Sequence, residues 1–468
     1  MKRDFATVIL AAGLGTRMKS RQAKVLHQAG GKTLIELVAA TAVRLVPREQ
    51  VYVVVGHQAD RVQRAVQGLE VRFLRQEKQL GTGHAVLIGR EPLAKAARLL
   101  VLYGDCPLVS AATLGGLMQC HVESGAAATV LTTRLADPTG YGRMVRGPAG
   151  DIRAIVEEKA ATPAQRAITE INSGMYCFET GPLFDCLAGV RPDNSAGEYY
   201  LTDVIGCLVG KGLRVEGYTI NEASEVLGIN TRVELAEVDN LLRGRKVREL
   251  MLEGVTIQRP ETVTVDLEVS IGEDTVLEPF VQILGRTSIG SGCRIRSYAV
   301  ISDSVLGDEV LVEPYSWVNE SEVERGVHIG PYARLRTGNV VEAEASVGNF
   351  VELKKTRLGA RSKAMHLAYL GDATIGADVN VGAGTITCNF DGVVKNPTII
   401  EDGVFVGSNS TLVAPIRVGA GSYLAAGSVF TEDVEPGALG IGRSRQTVKP
   451  GWAVRRKKKR AETAEEDR

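Results

Sequence analysis

From about residue 265 onward the chain places an aliphatic side chain at every sixth position. The series runs Val265, Ile271, Leu277, Ile283, Ile289, Ile295 and Ile301. It resumes at Leu306 after a five-residue step and continues through Val312, Val318, Val323, Ile329, Leu335, Val341, Val347 and Leu353. A last run is Ile400, Val406, Leu412, Val418, Leu424 and Phe430. A small residue often sits four places after a rung, as at Thr275, Cys293, Ala299, Ala333, Ala345, Thr385, Ser410, Ser422 and Ser428. Self-similarity at a fixed period marks a repeat architecture, and hexapeptides are the repeat of a parallel β-helix. The pattern therefore predicts three short strands per triangular coil, with the aliphatic residue inward and the small residue near a tight corner. Plain alternation in a β-sandwich also gives an even period. A sandwich, however, needs hairpin turns roughly every 8–12 residues, and the hexads leave no room for them.

The first half is patterned differently. Apolar runs suited to buried strands are Ala6 to Leu10, Val51 to Val55 and Leu99 to Leu102. Helical spacing lies between them, over Thr33 to Val46 with Thr33 as N-cap, and over Ala59 to Gln67. Buried strands alternating with helices predict an α/β layer with a mainly parallel sheet. From Ala127 to about Tyr218 the strands lengthen, as expected for a substrate-covering part of the same domain. Thr231 to Gly254 carries Leu, Val, Glu and Arg at helical spacing and ends on a glycine stop signal. The expected organisation is thus an α/β domain over 1–230, a linker helix over 231–254, a β-helix over 255–445, and a disordered charged tail over 446–468.

Composition narrows the function classes. Basic and acidic residues balance at 55 each, so no chain-wide field favours nucleic acid or a membrane surface. The run Arg455 to Arg460 followed by acidic residues reads as a solvated terminus. Seven scattered cysteines are expected to be reduced thiols of a cytoplasmic protein. No segment approaches the 18 or so apolar residues of a membrane span, and nothing near Met1 reads as a signal peptide.

The first strand closes on Leu10-Ala11-Ala12-Gly13-Leu14-Gly15-Thr16-Arg17-Met18. Amides of a glycine turn can cradle phosphate, and Arg17 and Lys24 supply cations for phosphoryl oxygens. The spacing is neither the dinucleotide fingerprint nor a Walker A loop. On the pattern alone, a ligand-free structural turn stands beside the phosphate cradle. Other stretches with the same flavour are Gln76, Gln79 to His84, Tyr103-Gly104-Asp105, Asp137 to Arg143, Glu157, Glu170 to Asn172, Gly197 to Asp203, and Asn230.

The glycine turn resembles the signature of sugar-nucleotide pyrophosphorylases. Taken with the other stretches and the hexads, nearly the whole chain resembles the bacterial family that joins a uridylyltransferase to an acetyltransferase. The resemblance implies a Rossmann-like nucleotidyltransferase domain joined by a long helix to a left-handed parallel β-helix that forms homotrimers. It implies acetyl transfer from acetyl-CoA to glucosamine 1-phosphate, then transfer from UTP to N-acetylglucosamine 1-phosphate with release of pyrophosphate. It further implies that Leu10, Ala11, Ala12, Gly13, Gln76, Gly81 and Thr82 hold uracil and ribose, with Tyr103 and Gly104 beside them. Gly140, Glu157, Asn172 and Asn230 would hold the sugar, Asp105 and Asn230 Mg²⁺, and Arg17 and Lys24 the triphosphate. The family usually has proline before the motif lysine, where this chain has Ala23.

The hexads falter between Leu353 and Ile400, with five-residue steps at Leu358 and Ile375 and an insertion over Thr387 to Pro397. Solenoid insertions often mark a binding face. By resemblance, His366 is the general base for the amine of glucosamine 1-phosphate, a task that suits an imidazole, with Glu352 to orient it. Arg336, Lys354, Tyr369 and Asn380 would bind the sugar phosphate. Ala383, Asn389, Phe390, Ser408, Ala426 and Arg443 would contact acetyl-CoA. Phe390 stands where a tyrosine is common. Two other readings stay open on the residues alone: a monofunctional pyrophosphorylase whose β-helix only regulates, and a hexad domain that only assembles the protein.

Overall fold

The computed structural model describes residues 4–192 and 197–466. The chain divides into two compact units, Met1–Lys246 and Val247–Arg468.

In the first unit, strand Phe5–Leu10 is flanked on both sides by parallel partners, Val51–Val55 and Arg98–Tyr103. All three are almost wholly buried, which is why they read as unbroken apolar runs. Arg72–Arg75 extends the sheet in parallel beyond Val51–Val55. On the other side, the ten-residue strand Glu170–Glu179 pairs antiparallel with Arg98–Tyr103, Ala128–Arg134 and Gly142–Arg146. The sheet is therefore parallel where the candidate turns leave it and mixed further on. Thr33 caps the helix Leu34–Ala42 through a reciprocal box with Glu36, two backbone donors being satisfied at once. That helix ends earlier than its periodicity suggests, and the second runs Ala59–Ala65.

One cysteine expectation is corrected. Helices Thr180–Leu187 and Asp203–Gly210 bring Cys186 and Cys207 to a Cα separation of 5.9 Å, and the two are joined as a disulfide. Packing between the two helices decides this pairing, so spacing could not reveal it. Cys106, Cys120, Cys177, Cys293 and Cys388 are free thiols.

The long helix runs Arg232–Leu252, and Gly254 beyond it takes φ +98°. Its residues Val247 and Leu250 join the core of the second unit. That core is the hexad ladder itself: every rung named above from Val265 to Phe430 is buried. Strands two to four residues long pair in parallel with the third strand further on, in three separate stacks. The small residues four places after a rung are buried as well, because they sit where the chain bends back under the next coil.

Most corners turn on a residue with positive φ, and most of these are not glycine. An L-residue in this conformation costs about 1–2 kcal/mol, offset here by backbone hydrogen bonds between coils. The slips in the count are not scattered. The five-residue steps from Ile301 to Leu306, Val318 to Val323, Leu353 to Leu358 and Leu370 to Ile375 all cross from the second stack to the third. The insertion before Thr398 opens at the same corner.

The tail is the second correction. Instead of lacking structure, it forms the helix Trp452–Glu466. Lys, Arg, Ala and Glu are good helix formers, and Lys458 reaches Glu462 at 4.0 Å one turn on.

Core and surface should separate cleanly in denaturation. Ile329→Ala removes a fully buried rung and should cost about 2–5 kcal/mol. Tyr423→Ala removes an exposed ring stacked on Phe405 at 5.4 Å and should cost at most about 1.5 kcal/mol. Urea midpoints of the full chain check both, and equal losses would contradict the inward placement of the rungs.

Candidate active sites

The first site forms where the parallel strands end. Leu10 and Tyr103 finish in register, so the segments that follow them leave from one edge of the sheet. The Gly104 N–H donates to the Leu10 carbonyl at 3.0 Å, and the Ala11 N–H to the Val54 carbonyl at 3.0 Å. Such carboxyl-end edges are where open α/β sheets bind ligands. A Cβ at Gly13 would meet nothing within 4 Å, leaving the turn accessible.

Four candidate side chains from distant segments meet here. Arg17 Nη2 donates to Asn230 Oδ1 at 2.7 Å, and Lys24 Nζ donates to the same oxygen at 3.1 Å. Lys24 also pairs with the Asp105 carboxylate. Asn230 is held in turn, since its N–H donates to Glu234 Oε2 at 2.7 Å and the preceding Ile229 N–H donates to the Asp105 carbonyl at 2.9 Å. The Asp105 carboxylate and the Asn230 amide oxygen are hard donors of the kind Mg²⁺ takes, with water and phosphate oxygens completing the shell. Among the described residues no group of three or more His, Cys, Asp or Glu forms a metal cage.

A second wall joins two sequence motifs. Gln76 is buried; its Nε2 donates to the Gly81 carbonyl at 3.2 Å and lies 2.9 Å from His84 Nδ1. Gly81 takes φ +105°, and a Cβ there would lie 2.6 Å from the Tyr199 carbonyl, so only glycine fits. The Leu201 N–H donates to Thr82 Oγ1 at 3.1 Å. Burial pushes the Tyr103 phenol up in pKa, against a hydrogen bond with Thr82, and the Asp105 and Glu157 charges add to the rise. Glu157 is raised by burial, partly countered by the Thr202 hydroxyl, which donates to it at 3.3 Å. Asn172 Nδ2 donates to the Tyr176 hydroxyl at 2.7 Å, while its Oδ1 accepts from the Gly174 N–H at 3.0 Å. Gly140 turns at φ +88° in open space, and no contact ties it to the cluster.

The second site lies along one edge of the prism. The His366 carbonyl accepts from the Gly384 N–H at 3.4 Å, the Ala383 carbonyl from the Asn409 N–H at 2.7 Å, and the Ser408 carbonyl from the Gly427 N–H at 2.8 Å. His366, Ala383, Ser408 and Ala426 therefore stack one per coil at the same corner, with Arg443 passing 3.9 Å from where a Gly427 Cβ would stand. Gly382, just before this column, would place a Cβ 2.5 Å from the Ser408 nitrogen. Lower down, the same corner carries Phe280, Tyr298, Tyr315, Tyr332 and Phe350, whose rings stack at 4.9–5.4 Å. By register the ring column passes from Phe350 to Leu367, and His366 continues the neighbouring column from Asn349. Asn380 is exposed and in register with Lys363 and Phe405 on the first stack.

The slipping corner carries the cations. Lys354, almost buried, donates to Asp372 Oδ2 at 3.0 Å and Oδ1 at 3.3 Å, and Asn389 donates to the same carboxylate. A hydrogen bond with Lys395, then the bond with Asp372, hold Lys354 above its usual range. The Lys354 ammonium in turn pushes Lys395 down. Burial works to raise the Asp372 carboxyl, but the bonds from Lys354 and Asn389 outweigh it and leave it low. Lys395 and Asp372 escaped the sequence reading; a lysine inside the only long insertion of the ladder was the available signal. Glu352 is not placed to orient His366 within the chain, because its carboxylate faces Arg336 at 3.1 Å and Arg334 at 3.7 Å. Tyr369 stands beside Glu352 in register. Phe390 is exposed on the insertion and bridged to Lys395 through the backbone.

Comparison with known proteins agrees with both halves. Residues 7–170 match the MobA-like NTP transferase domain, residues 268–303 the bacterial transferase hexapeptide (six repeats), and residues 397–432 the hexapeptide repeat of succinyl-transferase. Along its whole length the chain is similar to proteins called bifunctional protein GlmU. That of Koribacter versatilis is 51% identical over 463 residues, covering 98% of each chain. That of Solibacter usitatus is 54% identical over 459 residues, again with 98% of each chain covered. The Pelobacter propionicus protein is 47% identical over 460 residues, covering 97% of this chain and 99% of its own.

The raised Glu157 carboxyl has a consequence for stability. A carboxyl whose folded pKa lies above its unfolded value of about 4.3 costs nothing at lower pH, and its cost grows as pH rises to the folded pKa. The stability of the wild type relative to Glu157→Gln should therefore fall as pH rises from about 4, and then level off. Denaturation midpoints of both proteins across that range check it; a pH-independent difference would contradict the burial of the charge.

Proposed function

The chain belongs to the bifunctional GlmU family, and on that premise we propose that its two chemistries sit on the Asp105 cluster and on the His366 edge. The protein is a bifunctional enzyme of UDP-N-acetylglucosamine synthesis. It transfers acetyl from acetyl-CoA to glucosamine 1-phosphate, then uridylyl from UTP to N-acetylglucosamine 1-phosphate with release of pyrophosphate. The observation that carries the assignment of residues is the convergence of Arg17, Lys24, Asp105 and Asn230 on one oxygen-rich point.

In uridylyl transfer the sugar phosphate displaces pyrophosphate from the α-phosphorus of UTP. Such transfer needs positioning and charge neutralisation, not a protein nucleophile. Arg17 and Lys24 are the cations for the triphosphate, and their bonds to Asn230 and Asp105 hold them at one place before it arrives. Gln76, Gly81 and Thr82 form the wall for the base and ribose with Leu10, Ala11, Ala12 and Gly13, and Tyr103 and Gly104 close the strand end behind them. Glu157, Asn172 and Gly140 face the sugar. Asp105 and Asn230 would hold Mg²⁺, which when bound neutralises charge on the phosphates.

In acetyl transfer His366 takes a proton from the amine of glucosamine 1-phosphate, and the amine attacks the thioester carbonyl of acetyl-CoA; the C–N bond forms, the C–S bond breaks, and CoA leaves as the protonated thiol. Arg336, Lys354, Tyr369 and Asn380 hold the sugar phosphate, with Asp372 fixing Lys354 in place. Ala383, Ser408, Ala426 and Arg443 form a one-per-coil track for the long CoA chain, with Asn389 and Phe390 on the insertion. Ser408, Ala426 and Arg443 are exposed on a convex edge, so the track needs a second wall, which a homotrimer through the β-helix supplies. We place the enzyme in the cytoplasm with its UTP and acetyl-CoA. No helix among the described residues is long and apolar enough to cross a membrane.

Two variants separate the sites. His366→Ala should lower acetyl transfer by roughly 10²–10⁴ and leave uridylyl transfer and assembly intact; unchanged thiol release would remove His366 from the mechanism. Asp105→Ala should abolish Mg²⁺-dependent pyrophosphate release while acetyl transfer continues. Loss of both activities in either variant would argue against independent sites.

A further inference from the structure

The N-terminal unit contains a second polar cavity that the two reactions do not use. It has a volume of about 710 Å³, and its lining includes Gln22, His27, Gln28, Thr33, Arg61 and Arg64. None of Arg17, Lys24, Asp105 or Asn230 lines it. Helix Ala59–Ala65 presents Arg61 and Arg64 three positions apart, hence on one face. Arg61 Nη1 donates to Gln58 Oε1 at 3.0 Å and Arg64 Nε to the Asp60 carbonyl at 3.2 Å. Neither guanidinium has a carboxylate partner among the described residues. The nearby Glu36 carboxylate is engaged by Thr33 in the helix cap.

Exposed arginines on a helix are ordinarily just solvated. His27 sets this group apart. It is only 7% exposed, and its Nδ1 faces Arg232 Nη1 at 3.2 Å. Nδ1 therefore accepts, and Nε2 carries the hydrogen. That Nε2 is buried with no partner, a costly state for a donor. Two guanidinium forks bonded only to neutral oxygens and one orphaned N–H are a donor set without an anion, and planar forks match phosphate oxygens.

We propose that this cavity binds a small phosphate-bearing anion and that Gln58 links it to the turn carrying Lys24. Gln58 Oε1 accepts from both Arg61 and the Ala23 N–H, the latter at 3.2 Å, while its Nε2 donates to the Arg21 carbonyl at 2.6 Å. An anion that draws Arg61 away takes one donor from Gln58 and so reaches the segment immediately before Lys24. A proline at position 23 would have no N–H for this bond; alanine makes the link possible.

The test uses the full chain with orthophosphate, pyrophosphate and glucosamine 1-phosphate as separate probes, comparing the wild type with the Arg61→Ala/Arg64→Ala double variant. Both positions are exposed, so folding is not at risk. Phosphorus NMR titration should show saturable binding that weakens at least about tenfold in the variant. Amide hydrogen exchange over Arg21 to Lys24 should change on anion addition in the wild type and not in the variant. A response to orthophosphate or pyrophosphate supports an inorganic ligand, and a response to the sugar phosphate alone supports a metabolite. Equal affinity in the two proteins, or no saturation by roughly 10 mM of any probe, overturns the site. An exchange change that persists in the variant assigns the anion to the Asp105 cluster and also overturns it. Binding without any exchange change overturns the link through Gln58.

Discussion

The second unit depends on one interaction, the backbone hydrogen bonding of each coil to the next. Parallel strands in such a stack lie roughly 4.8 Å apart, and the bond at each corner repeats that spacing from coil to coil. Once coils are locked in this way, side chains a full turn apart in sequence become neighbours. Columns follow automatically. Aliphatic rungs fill the inside, aromatic rings stack along one outer corner, and His366, Ala383, Ser408 and Ala426 line up further along that corner. The same constraint makes the small residues obligatory, since a larger one below a corner would push two coils apart.

The first unit solves a different problem. Its chemistry needs charges brought from remote segments to one strand end, and no repeat can do that. The sheet does it by ending Phe5–Leu10 and Arg98–Tyr103 in register, while the segment after Val226 returns Ile229 to the Asp105 backbone. Lys24 and Arg17 then share Asn230 as a common acceptor. Preorganised cations of this kind act without rearranging when charge develops, which suits a transfer that has no protein nucleophile.

Much of this was legible in the residues, for reasons that differ between the halves. The rungs could be counted because six residues per face is a local rule, and all those counted are buried. That the slips share one corner was not legible, because a slip has no face until the stacks are assigned. The strands Val51–Val55 and Arg98–Tyr103 were readable as apolar runs, and the Thr33 cap as a local motif. The contacts of Arg17 and Lys24 with Asn230 join positions more than 200 residues apart, and that of Lys24 with Asp105 spans 81, which no spacing rule reaches. The Cys186–Cys207 pair spans only 21 residues, but it too is decided by how two helices pack and not by a spacing rule. The tail helix is hard to read because a dense charge run also fits a solvated coil, although its residues favour helix individually.

The proposed function has one chain perform two ordered transfers on two separate groups of residues. The most direct measurement supplies the full-length protein with glucosamine 1-phosphate, acetyl-CoA, UTP and Mg²⁺, and follows CoA thiol and pyrophosphate separately in time. Thiol release is expected first, pyrophosphate after a lag, and almost no pyrophosphate when acetyl-CoA is omitted. Pyrophosphate released at full rate without acetyl-CoA, or no thiol at all, would contradict it.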